Sequence, residues 1–279
     1  MNLISLMYHD IVSAPTDRRY AFTIAEFREH LALFKAAIGA APAAPGGASV
    51  MSGFALTFDD GCPGWLQAGE ALQELGWKAL FFVKTGVIGD PGQIDPSAIK
   101  RLADMGQVIG SHTVDHHYPI AARDTAYILD QWSRSKASLE DIIGREVTSA
   151  SVPGGSYSSR VGRAAEAAGI RHLFTSEPVA TSWNVGACRV WGRFSLTNGM
   201  SAQRIARIAA GDGSYGARQY VAWNLKKAAK FVMMRPYLAF RKSVYPSGRT
   251  RAPLGERVRG RLSAPPSSRE EFAPMTTSR

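Results

Sequence analysis

Phe54-Ala55-Leu56-Thr57-Phe58-Asp59-Asp60-Gly61 is an apolar, strand-forming run that ends in two adjacent carboxylates and a glycine. Such a run delivers both acids at a strand tip, where like charges repel and resist leaving water. A bound cation relieves both penalties. A second apolar run, Gln107-Val108-Ile109-Gly110, leads about fifty residues later into Ser111-His112-Thr113-Val114-Asp115-His116-His117. Both segments therefore sit where an α/β fold collects its chemistry, just past the ends of strands. One carboxylate with the imidazoles of His112 and His116 forms the three-ligand set of an open catalytic zinc site, with a fourth position for water, and the other aspartate is then free to act as a base. Taken singly, Asp-Asp-Gly reads as a turn and a histidine pair four apart as surface decoration. Their joint placement after two strand-like runs favours the metal site.

Working outward, strand-like and helix-like segments alternate. Leu3 to Met7 reads as a strand. Thr23-Ile24-Ala25-Glu26 matches a capping box and opens a helix with Phe27, Leu31, Phe34 and Ile38 on one face, before an Ala/Pro/Gly loop at 39–49. Trp65, Ala68, Leu72 and Leu75 mark a helix closed by Gly76, and Lys78 to Val83 the next strand. Asp95-Pro96 starts a helix ended by Gly106, and Asp124 starts a longer one through Trp132 and Ile142. A strand near Thr148 to Val152, a small-residue helix around Val161 to Ala168 and a strand holding His172 follow. This alternation predicts parallel strands covered by helices, in an open sheet or a barrel.

With 279 residues and 45% hydrophobic content, the chain can bury one sizeable core. Two cysteines make no disulfide framework, and Cys62, beside the acidic motif but without a Cys-x-x-Cys pattern, reads as a small packing residue. No basic n-region with a long apolar run marks the start, and no stretch approaches a membrane span, which predicts a cytoplasmic protein. The net charge of +10 is uneven. Residues 1–212 carry 19 Lys+Arg against 20 Asp+Glu, whereas residues 213–279 carry 14 against 3. A near-neutral working part does not suit a nucleic-acid enzyme. From Ala217 to Arg235, Arg218, Lys226, Lys227 and Lys230 alternate with Val221, Trp223, Leu225, Phe231 and Val232 in a basic amphipathic helix limited by Pro236. That helix either packs on the catalytic part or lies peripherally on an anionic membrane surface, such as the inner face of a cell membrane. Residues 246–279, rich in Pro, Ser and Arg, read as disordered.

Over roughly residues 3–200 the chain resembles the polysaccharide deacetylases of the NodB-homology group, carbohydrate esterase family 4. Thr57 to Gly61 is similar to the family's first motif, which implies Asp59 as general base and Asp60 as a metal ligand. His112 to His116 is similar to the second and implies both histidines as ligands, with His117 the alternative to His116. Where the third motif commonly reads Arg-x-Pro-x-Gly, this chain has Ser151-Val152-Pro153-Gly154-Gly155, so the arginine that orients the base is absent while the turn implying an oxyanion-facing Gly154 N–H remains. The C-terminal Leu-x-His that usually supplies the general acid is also absent, and His172 reads as a structural strand residue. Leu6-Met7-Tyr8-His9-Asp10-Ile11 resembles the opening of the poly-N-acetylglucosamine deacetylase branch, where the acid-bearing strand comes first and the arginine is missing too. That kinship implies His9 as the acid.

The resemblance implies an α/β fold, a distorted (β/α) barrel of the polysaccharide deacetylase type with a basic helical C-terminal extension. The expected division is a catalytic domain at 1–212, the extension at 213–245 and a tail at 246–279. It implies a metal-dependent hydrolase that removes N-acetyl groups from an amino sugar in a polysaccharide or glycan intermediate, as in exopolysaccharide biosynthesis. Zinc is the expected metal, with cobalt, nickel or iron compatible with the same ligands. The competing expectation is a non-catalytic carbohydrate-binding or membrane-associated assembly protein on the same fold.

Overall fold

The computed structural model describes residues 2–42, 44 and 53–232. Most of the loop expected at 39–49, the end of the basic extension and the whole tail from 246 lie outside the described residues.

The strands are β1 (Leu3–Tyr8), β2 (Asp10–Val12), β3 (Ala21–Thr23), β4 (Gly53–Asp60), β5 (Leu80–Val83), β6 (Val108–Ser111), β7 (Ser149–Ser151), β8 (His172–Phe174), β9 (Ser182–Val185), β10 (Cys188–Trp191) and β11 (Phe194–Ser195). Between and after them run α1 (Ile24–Ile38), α2 (Trp65–Glu74), α3 (Pro96–Asp104), α4 (Thr125–Ile143), α5 (Ser159–Ala167), α6 (Ala202–Ala209) and α7 (Gly213–Val232). Nine strands form one sheet in the order β11-β1-β4-β5-β6-β7-β8-β10-β9, parallel throughout except for the β10–β9 hairpin, while β2 and β3 pair separately. The free side of β1 is met by the Ala180 carbonyl, which accepts from Leu3 N–H at 2.8 Å, and further along by β11. The sheet thus curls toward closure as a distorted barrel.

Local chemistry explains most of the helix boundaries. Thr23 and Glu26 form the expected capping box, with the Thr23 hydroxyl accepting from Glu26 N–H at 3.1 Å and the Glu26 carboxylate accepting from Thr23 N–H at 2.6 Å. Asp95 and Asp124 cap α3 and α4 by accepting from Ala98 and Tyr127 N–H groups. Helices α1 to α3 pack their apolar faces on the outer side of the sheet. There Phe34 meets Phe54 at 5.1 Å between ring centroids, and Phe81 stacks on Phe58 at 4.6 Å and meets Trp65 at 5.2 Å. Leu3, Ala55, Leu80, Phe82, Phe174 and Trp191 fill the inner side. Side chains alternate along a strand, so Thr57 and Asp59 follow Ala55 inward. An apolar interior thereby closes beneath a polar mouth.

The small β2–β3 pair and the β9–β10–β11 segment carry no strong sequence signal, because each strand is only two to four residues long. Helix α7 begins earlier than the periodicity predicts, and its first half stays with the sheet: Gln219 Nε2 donates to the Ser195 carbonyl at 2.9 Å. The described residues belong to one compact unit. No helix among the described residues is long and apolar enough to cross a membrane.

Candidate metal centre

Strand alternation alone would turn Asp60 away from Asp59. Instead Asp60 adopts φ 87° and Gly61 φ 107°, which bends the chain back over the mouth. The loop after β6 uses the same device, with Thr113 at φ 63° and His116 at φ 53°. Left-handed backbone at residues other than glycine costs about 1–3 kcal/mol each and persists only where the surroundings impose it. Three such residues flank or supply one cluster.

Within that cluster Asp60 Oδ1 lies 3.6 Å from His112 Nε2 and 3.5 Å from His116 Nε2. The three donor atoms are all within 4.8 Å of one another. Nitrogen and oxygen donors about 2.1 Å from a tetrahedral cation are separated by roughly 3.4 Å, so this spacing fits one ion. The donor chemistry fits as well. The Ser151 carbonyl, which can only accept, lies 2.9 Å from His112 Nδ1, so Nδ1 carries the proton and Nε2 presents its lone pair to the cluster. Burial and the neighbouring His112 push His116 down to about 4, which leaves it neutral, as a ligand must be. Burial would raise Asp60, but the imidazoles outweigh it and hold the carboxyl below its ordinary value. His117 faces elsewhere, its ring 5.6 Å from Tyr127 in an edge-on contact.

Asp59 is buried beside the cluster. Its carboxylate receives two hydrogen bonds from Arg193, Nη1 at 2.6 Å and Nη2 at 2.7 Å, and the arginine is itself fully buried. Burial alone would raise the Asp59 pKa. Arg193 and His112 reverse that and hold it far below the usual carboxylate range. Ser151 adds a third link: its hydroxyl lies 2.6 Å from His112 Nδ1 and donates to Asp59 Oδ1 at 3.2 Å. The role of the absent motif arginine is therefore shared between two residues. Ser151 stands where an arginine is common, and an arginine arrives from the other end of the domain.

Arg193 is the residue that sequence reasoning missed. Its backbone N–H donates to the Glu177 carbonyl at 2.8 Å and its Nε to the Thr175 carbonyl at 2.9 Å, so the segment after β8 builds its housing. The available signal was a charged residue inside the apolar run Val190-Trp191-Gly192-Arg193-Phe194, because a charge in such surroundings needs a partner.

His9 sits at the end of β1, its carbonyl accepting from Trp65 Nε1 at 2.8 Å and its ring centroid 4.8 Å from that of Tyr20. Burial lowers its pKa, while Asp59 and Asp60 pull it the other way, which places the ring within electrostatic reach of both acids. His9 Nδ1 is buried and has no hydrogen-bond partner among the described residues. Gly154 lies in the turn after β7 at φ 55°, and a Cβ there would stand 2.6 Å from a Tyr118 ring carbon, so only glycine brings this backbone so close. Cys62 takes the Ile11 N–H on its sulfur at 3.2 Å, and burial pushes its thiol up to about 12, as suits a packing residue. His172 lies at the opposite end of the sheet, paired in register with Ser149 and Arg189 at the strand starts.

Residues 51–173 match the family model for polysaccharide deacetylases. YxkH of Bacillus subtilis, named as a polysaccharide deacetylase, is 29% identical over 147 residues, 52% of each chain, so this chain spans about half the length of that relative. Among solved structures, IcaB from Ammonifex degensii superposes with a TM-score of 0.62 at 24% identity, covering 75% of this chain and 97% of that one. The polysaccharide deacetylase BC0361 of Bacillus cereus gives 0.66 at 20% identity, covering 75% and 69%. These likenesses establish the barrel as the deacetylase type.

Proposed function

We propose that this chain, which carries a polysaccharide deacetylase domain, hydrolyses N-acetyl groups from an amino sugar in a polysaccharide or glycan intermediate. The supporting observation is the meeting of Asp60, His112 and His116 donor atoms beside the buried Asp59–Arg193 pair. Residues 1–212 are taken as the catalytic part.

Asp60, His112 and His116 would hold a divalent ion, with zinc first and cobalt, nickel or iron also compatible. When bound, such an ion supplies Lewis acidity toward the acetamide carbonyl and lowers the pKa of water. Asp59 takes the proton of the attacking water, and Arg193 keeps its carboxylate ionised and oriented. Ser151 ties that carboxylate to the His112 ring, so base and ligand hold a fixed separation. Gly154 N–H donates to the oxyanion as the carbonyl becomes tetrahedral. His9, whose Nδ1 has no partner among the described residues, delivers a proton to the departing amine. Acetate and a free amino sugar are the products.

Acetate release by the metal-loaded protein across N-acetylated glycans and sugar intermediates, with the chelated protein as control, tests this reading. Stoichiometric metal and glycan binding without acetate release would favour a non-catalytic carbohydrate-binding protein on the same fold. A peripheral contact with anionic membrane is a separate proposal. Tyr220, Val221 and Leu225 are exposed on α7, in a region of the sequence without acids from 213 to 255. Removal of residues 213–279 is expected to abolish salt-sensitive binding to anionic liposomes. Equal binding by both forms would overturn it.

A further inference from the structure

A cleft of about 430 Å³ opens from Asp60, within the size range of ligand sites, and its charged lining consists of Asp10, Arg18, Asp60 and Lys84. Both carboxylates are engaged. Asp10 accepts from Arg18 at 2.8 Å, and Asp60 turns its Oδ1 to the two imidazoles. Lys84 stands apart. It follows β5 directly, is half-buried, and is tied to the acidic strand by its N–H, which donates to the Asp60 carbonyl at 3.3 Å. The Lys84 side chain lines the same cleft as Asp60. Among the described residues no carboxylate comes within 4.0 Å of it.

A lysine that lines a cleft without a carboxylate partner leaves its ammonium free to pair with an anion that enters. The Asp10–Arg18 pair cancels its own charge, and a divalent ion at the cluster would outweigh Asp60, so the cleft as a whole attracts anions. A neutral sugar satisfies none of this. We propose that Lys84 binds an anionic substituent of the substrate, a carboxylate or a phosphate on or next to the N-acetylated sugar, and thereby selects acidic glycans over neutral ones. The inference rests on the deacetylase reading for its substrate class, while its direct test is binding, which needs no turnover.

The experiment uses the full metal-loaded chain and three N-acetylated oligosaccharides of equal length: one neutral, one carrying a uronate and one carrying a phosphate. Calorimetric Kd and the kinetics of acetate release are measured for the wild type, Lys84→Gln and Lys84→Arg. A charge-assisted hydrogen bond of this kind is expected to give the wild type at least about tenfold tighter binding to one acidic ligand than to the neutral one. Lys84→Gln should lose that preference through KM, with kcat and the neutral ligand unchanged, and Lys84→Arg should keep most of it. The acidic arm that responds identifies carboxylate or phosphate as the group. Equal affinity of the wild type for all three ligands overturns the inference, as does a preference that survives in Lys84→Gln or a loss that falls equally on the neutral ligand. Should Lys84→Gln not fold, loss of the wild-type preference at high salt, with retention in Lys84→Arg, decides the matter. A Kd preference without acetate release would leave the inference standing and remove the deacetylase reading. Acetate release without preference would do the reverse.

Discussion

His112 directly follows one strand and His172 begins another of the same mostly parallel sheet, yet the sheet gives them opposite surroundings. His112 follows the last residue of β6 and looks into a mouth holding Asp59, Asp60 and His116. His172 is the first residue of β8, where Trp191 Nε1 donates to its Nδ1 at 3.4 Å and stacks beside it. Its pKa is lowered by burial and by Arg189 and Arg171, with no carboxylate of the site contributing. In a parallel sheet the loops leaving the strands all gather at one end, so groups placed there converge from distant parts of the chain. The strand starts gather only packing.

The sharpest way to break this contrast is to remove a ligand at the mouth. Asp60→Ala and His112→Ala are expected to bind metal weaker by orders of magnitude and to purify metal-poor and inactive, whereas Asp59→Asn should keep metal and lose turnover. Elemental analysis beside acetate release decides, and stoichiometric metal in Asp60→Ala would dismantle the centre as drawn. In the same assay His116→Ala should lose metal and His117→Ala should keep it.

His9 tests whether the mouth also supplies the acid. His9→Ala should retain fold and metal while losing about a hundred- to ten-thousandfold in kcat. A substrate with a good leaving group needs less protonation, so an activated acetyl ester should restore part of that loss. No ester rescue would assign His9 another role.

Arg193 sharpens the comparison energetically. Its loss leaves the Asp59 carboxylate buried without its partner, and Arg193→Ala is expected to destabilise the fold by about 3–5 kcal/mol in chemical denaturation. Adding Asp59→Asn should recover part of that, because the neutral amide carries no uncompensated charge. A double variant no more stable than Arg193→Ala would show that the pair acts mainly through packing.

Away from the mouth, histidines are expected to act through stability alone. His30 is buried against Tyr8, whose hydroxyl lies 3.0 Å from its Nδ1, and burial lowers its pKa from 6.5 to about 4. A histidine that must stay neutral to fold contributes stability that is full above its unfolded pKa and lost as pH falls toward the folded value. Between pH 7 and 5 this should remove about 2 kcal/mol, a loss that His30→Gln should largely abolish. Unfolding curves at the two pH values measure it. The smallest effect is expected at the strand starts, where His172→Ala should cost about 1 kcal/mol or less and leave turnover unchanged. An inactive His172→Ala with metal and fold intact would undo the contrast between the two ends.

Much of this architecture is legible in short stretches of sequence. The capping box at Thr23 and Glu26, the aspartates that start α3 and α4 and the glycines that end helices act over a few residues, and the helices fall close to where these signals put them. Asp59, Asp60, His112 and His116 are readable for a related reason: the two aspartates end the apolar β4, the two histidines lie in the loop that leaves the apolar β6, and strand ends in a parallel sheet share one mouth. The boundaries blur where strands shorten, as in β9 to β11.

What the sequence by itself determined is therefore the strands β1 and β4 to β8, their covering helices and the residues brought to the end of the sheet. Only the tertiary structure decided how those residues face one another. Asp60 reaches the same site as Asp59 because its backbone turns left-handed against strand alternation. Ser151 gains its place between His112 and Asp59, and Arg193 reaches Asp59 across 134 positions of chain. No local propensity encodes such a pairing. A buried carboxylate needs a cation wherever the fold can supply one, and the curl of the sheet, not distance along the chain, determines which arginine is near.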